Sequence, residues 1–151
     1  VIIQYSDWKC PHCITSSPKV RSIAEETGAQ LRFRNWPLSG ECNPEPKFKS
    51  VSMPERCELA KASICAHQQG RYEAFFADVV QDVDSLIDRW SADATFRACL
   101  TSPEVEEQLK QQSQSGVELG LHVTPTFYFQ SQQQWFATSS PERIQLALQQ
   151  Q

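Results

Sequence analysis

The first residues able to do chemistry are Cys10 and Cys13, in the stretch W-K-C-P-H-C-I that follows V-I-I-Q-Y-S-D. Two cysteines with two residues between them serve as half a metal site, a structural staple or a redox couple. Zinc needs a second ligand pair of similar spacing. The other cysteines, at 42, 57, 65 and 99, do not supply one, and the lone His67 and His122 read as structural or surface residues. A CxxC beside a strand-to-helix pattern reads as a redox centre. In disulfide exchange the nucleophile is a thiolate, so one sulfur must have its charged form stabilised. Pro11 fits the first position of a helix, where its missing N–H is no loss. Cys10 then caps that helix, facing free backbone N–H groups and the positive end of the dipole, with His12 adding a donor or a positive charge. Cys13, one turn in, is more enclosed. On this reading Cys10 forms the mixed disulfide and Cys13 resolves it. A stabilised Cys10 thiolate favours the reduced pair, which makes the disulfide an oxidant.

The elements that hold this pair follow from periodicity and punctuation. Val1 to Tyr5 reads as a buried strand running into the helix at CPHC. That helix continues to Thr27, with an interior Pro18 expected to kink it and Gly28 as its stop. Leu31, Phe33, Asn35 and Trp36 give a second strand ended by Pro37, and L-S-G-E-C-N-P-E-P-K is a loop. From Pro54 the spacing of Leu59, Ala62, Ala66, Phe75, Phe76, Val79 and Val80 is helical, and helices continue through Cys99 and from Pro103 to Ser115, with Gly116 and Gly120 before the next strand. T-P-T-F-Y-F and W-F-A-T form two strands around a turn at S-Q-Q-Q, and a last helix starts at Pro141. Trp8, two residues before Cys10, either lies exposed as part of a peptide-binding surface or packs against the first helix.

Composition bounds the class. The 151 residues suit one domain able to bury a core without staples. A formal net charge of −4 carries no basic surplus, which argues against nucleic acid as a partner. No apolar run approaches the roughly 18 residues of a membrane span. The abrupt start on V-I-I-Q-Y suggests a piece of a longer chain. Six cysteines are an even number, and even counts without zinc spacing favour an oxidising compartment, so a periplasmic or otherwise exported location is expected. Six allow 15 pairings, and spacing alone does not choose among them; free buried thiols are also open to them.

Cys10-Pro11-His12-Cys13, Asn35-Trp36-Pro37-Leu38, A-K-A-S-I-C-A-H-Q-Q-G-R-Y-E-A-F and L-G-L-H-V-T-P-T-F-Y-F span nearly the whole chain in order. Together they resemble the DsbA family of exported thiol-disulfide oxidoreductases. The resemblance implies an α/β thioredoxin fold, residues 1–39 and 117–151, with an inserted loop and helical domain over 40–116. The additional G-E-C-N-P and E-R-C-E-L-A look like the DsbA-like domains fused behind vitamin K epoxide reductase-like membrane proteins.

From the resemblance several expectations follow. Thr124-Pro125 is cis and lies against the CxxC, where Thr124 pairs with a substrate strand. Cys42 pairs with Cys57 and Cys65 with Cys99 as structural disulfides, although a relay from Cys42 or Cys57 to Cys10 is open. The substrates are reduced or unfolded proteins, and a membrane quinone reductase, DsbB-like or vitamin K epoxide reductase-like, restores the disulfide. No cofactor or metal enters. Two departures bear on direction. Thr124 also occurs at this place in isomerases, and Gln4 stands where family members carry a buried acid, so proton transfer needs another group. An isomerase or reductase is the nearest alternative to an oxidase. From a different class comes a peptide- or metal-binding module in which CPHC is idle.

Overall fold

The computed structural model describes residues 1–150, and its sheet consists of β1 (Ile2–Ser6), β2 (Leu31–Asn35), β3 (Thr126–Ser131) and β4 (Gln134–Thr138). Their order is β2-β1-β3-β4, with β1 parallel to β2 and every other neighbouring pair antiparallel. Alternation along the strands sends side chains to opposite faces. Ile2, Phe127 and Phe129 meet Val20, Ile23 and Ala24 of α1 (Pro11–Thr27) and Ile144 of α7 (Pro141–Gln149). Tyr5 faces the other way, into a cluster with Trp36 and Leu121. The first helix runs unbroken over Pro18 and ends, as its sequence suggests, at Gly28, whose φ of 72° is the left-handed conformation that glycine adopts without strain.

Between β2 and β3 lie a short 3-10 turn (Pro46–Phe48), α2 (Pro54–Gln68), α3 (Tyr72–Asp82), α4 (Leu86–Trp90), α5 (Ala94–Leu100) and α6 (Pro103–Glu118). These helices bury their apolar stripes in a cluster of their own that includes Leu59, Phe75, Leu86, Trp90, Phe96 and Leu109. Two disulfides brace them. Cys42–Cys57 ties the loop after β2 to the first turn of α2, and Cys65–Cys99 joins α2 to α5, with Cα separations of 5.9 and 6.0 Å. Among the described residues no helix is long and apolar enough to cross a membrane.

One boundary differs from the sequence expectation. Gly116 does not stop α6; the helix runs to Glu118, and Gly120, at φ 77°, takes the left-handed position beyond it. Gly116 is there for closeness. A Cβ on it would sit 2.5 Å from Trp36 Cδ1, so only glycine lets α6 lie against the buried Trp36 after β2.

Candidate active site

The connection from β1 to α1 is a turn made by Asp7. Its main-chain carbonyl accepts the Cys10 N–H at 3.1 Å, and its carboxylate accepts the Lys9 N–H at 2.7 Å. The turn delivers Cys10 to the N-cap of α1, in extended conformation, with Pro11 as the first helical residue. Cys10 Sγ accepts the Cys13 N–H at 3.4 Å. From the other side the segment before β3 brings Thr124, whose Oγ1 donates to Cys10 Sγ at 3.5 Å and whose carbonyl lies 3.7 Å from the same sulfur. The Thr124–Pro125 peptide bond is cis, and both residues are buried.

Cys10 and Cys13 are both free thiols. Their environments drive them apart. The Cys10 pKa is lowered from 9.0 to about 5, first by the hydrogen bond from the Cys13 thiol, then, against the cost of burial, by the Thr124 hydroxyl and the amides of Cys13 and His12. The Cys13 thiol is pushed far up, because it donates to Cys10 and is itself buried. A thiolate thus sits at the helix end beside a neutral thiol that stabilises it, which is the arrangement a nucleophile and its resolving partner require.

The structure brings Cys10, Pro11, Cys13, Thr124 and Pro125 together and places other candidates elsewhere. His12 contributes its main-chain amide, while its exposed ring points to the carbonyl of Ser139 at 3.4 Å. Trp8 is not an exposed peptide-binding residue. It is 3% exposed, its ring lies 4.8 Å from that of Phe33 and 5.1 Å from that of Phe75, and its Nε1 donates to Asn35 Oδ1 at 3.0 Å. The chain turns Trp8 into the apolar cluster of the helices because that is where an indole of this size finds both a dry surface and a partner for its N–H. His67 and His122 are exposed. Gln4 is buried under α1 and donates to Ser6 Oγ and Ser17 Oγ, both at 2.8 Å. Two concave spaces, of about 580 and 770 Å³, have neither Cys10 nor Cys13 in their walls.

Two residues of this region were not singled out from the sequence. The Asp7 side chain is fully buried, accepts the Leu38 N–H at 2.8 Å and pairs with Arg56 at 3.0 Å. The D-W-K-C spacing, an Asp three residues before a helix cap, is a local sign of an Asx turn. Nothing local marks Arg56, which lies on a helix 49 positions later.

The thioredoxin family model matches residues 1–150. No curated protein sequence matches the chain. Among solved structures, a thioredoxin-like oxidoreductase from Silicibacter pomeroyi DSS-3 superposes with a TM-score of 0.69 at 19% identity, over 99% of this chain and 84% of that one. The alpha-DsbA1 of Wolbachia pipientis gives 0.69 at 18%, over 99% and 83%. The cytosolic disulfide reductase DsbM of Pseudomonas aeruginosa gives 0.66 at 14%, over 99% and 97%. At such identities the likeness is one of fold. The chain belongs to the thioredoxin family and has the fold of its DsbA-like structures.

Proposed function

We propose that the protein is a thiol-disulfide oxidoreductase of DsbA type that works as an oxidase on exported proteins. The observation that carries this reading is the pairing of a Cys10 thiolate, held at the helix N-terminus with a pKa lowered to about 5, with a Cys13 thiol pushed up beneath it. A thiolate stabilised in the reduced protein makes the disulfide easier to reduce, hence an oxidant toward client thiols. A client thiolate attacks Cys10 Sγ, the Cys10–Cys13 bond breaks, and Cys13 leaves as a thiolate that takes up a proton. A second client thiolate then attacks the client sulfur of the mixed disulfide and releases the Cys10 thiolate. The client loses two electrons, which the Cys10–Cys13 pair gains. In the reverse sense Cys13 attacks and resolves the mixed disulfide. Thr124, whose carbonyl and hydroxyl lie beside Cys10, supports a place where an extended client segment pairs with the main chain. The pair is restored by a membrane quinone reductase of DsbB or vitamin K epoxide reductase type, in a periplasmic or equivalent compartment.

Replacing Cys13 with Ala removes the resolving thiol. The variant is expected to accumulate mixed disulfides with client proteins through Cys10, separable by non-reducing electrophoresis and lost on reduction. Their absence, with Cys10 alkylatable, would overturn the reading in favour of a binding module. Thr124 before the proline is the observation that favours an isomerase or reductase instead, and equilibration with glutathione separates these: a strongly oxidising pair supports the oxidase, a strongly reducing one the reductase.

A further inference from the structure

The helical insert holds the active-site turn at three consecutive residues. Trp8 is sunk in the insert's apolar cluster, Lys9 Nζ lies 3.3 Å from Asp84 between α3 and α4, and Asp7 meets Arg56 of α2 at 3.0 Å. Of the three, the contact at Asp7 differs in kind. The Lys9–Asp84 pair is exposed and of the sort that contributes little. Asp7 has a side chain with 0% exposure and Arg56 one with 17%. Three groups converge on this one carboxylate: the Lys9 amide of the turn itself and the Leu38 amide of the loop after β2, which donate hydrogen bonds, and the Arg56 guanidinium of the insert, which pairs with it as a charge. A buried carboxylate held by two amide donors and one opposite charge loses much when that charge is withdrawn. Neither Nε nor Nη1 of Arg56 has a hydrogen-bond partner among the described residues, so the guanidinium faces Asp7 as a close ion pair rather than through a hydrogen bond.

The same residue, Asp7, accepts the Cys10 N–H through its main-chain oxygen. The position of Cys10 on the helix end is therefore slaved to the position of the Asp7 turn. The contacts that hold negative charge on Cys10 Sγ are 3.4 Å to the Cys13 amide and 3.5 Å to Thr124 Oγ1. They come from two different segments, α1 and the segment before β3, and a displacement of the turn disturbs their joint fit to the sulfur. The neighbour of Arg56, Cys57, is bonded to Cys42, which ties this turn of α2 to the loop carrying Leu38. We propose that Asp7 and Arg56 are a positioning pair through which the helical insert seats Cys10 at the end of α1 and thereby sets the reactivity of the attacking sulfur. The proposal rests on the reading that Cys10 is that sulfur.

The test compares wild type with Arg56→Met, Arg56→Lys and the double variant Asp7→Asn/Arg56→Met, which leaves no unpaired buried ion should the single variant fail to fold. Each is characterised by thiolate absorbance against pH and by equilibration of Cys10–Cys13 with glutathione, alongside thermal melting. Arg56→Met and the double variant are expected to raise the Cys10 titration midpoint by about one pH unit. The equilibrium constant for reduction by glutathione falls by the matching factor, about tenfold. Arg56→Lys, which keeps a positive charge opposite Asp7, is expected to stay within about twofold of wild type. A folded Arg56→Met or double variant with wild-type midpoint and constant would overturn the proposal even if it melted lower, since the pair would then be only structural. Equal shifts in the Lys and Met variants would overturn the ion pair as the cause. A wild-type protein whose Cys10 does not exchange with glutathione would instead sink the proposed function, so the two failures are distinguishable.

Discussion

The six cysteines divide between two regions that treat sulfur in opposite ways. At the end of α1, Cys10 and Cys13 are free and one carries its charge; in and beside the helical insert the other four are closed into two disulfides. Burial does not separate the regions. Cys65 is 0% exposed and Cys13 1%, Cys57 6% and Cys10 9%. What differs is the polar surroundings. Cys10 meets amides at a helix terminus and a threonine hydroxyl, groups that point hydrogens at a negative sulfur. Cys65 lies well inside α2 among apolar side chains, where the helix amides are already bonded to its own carbonyls. Reactivity in this molecule is a property of where the backbone leaves donors free, not of access alone.

The sharpest way to break the comparison is to remove sulfurs region by region. Cys10→Ser is expected to lower disulfide exchange by at least about 10³-fold, since the nucleophile itself is lost, while reducing the stability of the reduced protein at pH 7 by no more than the about 1–2 kcal/mol its thiolate contributes. Cys42→Ala/Cys57→Ala and Cys65→Ala/Cys99→Ala should do the reverse. With separations of 15 and 34 residues, the chain-entropy account gives losses of about 3 and about 4 kcal/mol respectively. Reduced-insulin or glutathione exchange assays and denaturant unfolding measure the two effects separately. If the Cys42/Cys57 variant lost exchange as completely as Cys10→Ser, the division would fail and an electron relay through that pair would have to replace it.

The difference between the regions was only partly legible in the chain. Pro11 after Cys10 marks a helix end because the residue's chemistry is local, and so do Gly28 and Pro141. The strands were legible because their residues are apolar, aromatic or β-branched and are bounded by turn signals, even though β4 is exposed over most of its length. Trp8 was open between surface and core, because its burial depends on Phe75 and Tyr72 from the insert, far along the sequence. The helix expected to end at Ser115 runs on through Gly116 to Glu118, because the reason for that glycine is Trp36, a tertiary neighbour. Arg56 was invisible for the same reason, since its partner is 49 positions away. The residues that create the reactive sulfur are local and readable, while those that hold it in place come from the insert and are not.

A second test sharpens the comparison through pH. The folded-state pKa of Cys10 is depressed from 9.0 to about 5. A depressed thiol stabilises the reduced fold fully above its unfolded pKa, and this contribution fades as pH falls and is gone below the folded pKa. The raised Cys13 thiol is neutral in both states below the ordinary thiol range and adds nothing there. The oxidised protein has no such thiolate. Raising pH from about 4 to about 7 should therefore stabilise the reduced protein relative to the oxidised one, by about 1–2 kcal/mol after discounting for partial contact with solvent. Paired melting curves of the two redox forms measure it. A difference that stayed flat with pH would mean that the sulfur at the helix end is held no differently from an ordinary thiol, and the two regions would then differ only in bonding.

The smallest effect separates stability from reactivity altogether. The turn between β3 and β4 is a two-residue hairpin in which Gln132 and Gln133 have φ of 52° and 66°. Such a turn needs the left-handed conformation at both central residues, where glycine or asparagine is at ease and glutamine is not. Gln133→Gly should relieve that strain and stabilise the fold by up to about 1 kcal/mol, because the conformational freedom gained by the unfolded chain offsets part of the relief. The site is on an edge hairpin with no contact to Cys10, so the Cys10 titration should be unchanged. Measured beside Arg56→Met, the variant gives a reference in which stability moves and the sulfur does not. If the titration followed stability in both, Cys10 would be responding to the overall firmness of the fold, and the special part assigned to the Asp7 turn would have no basis.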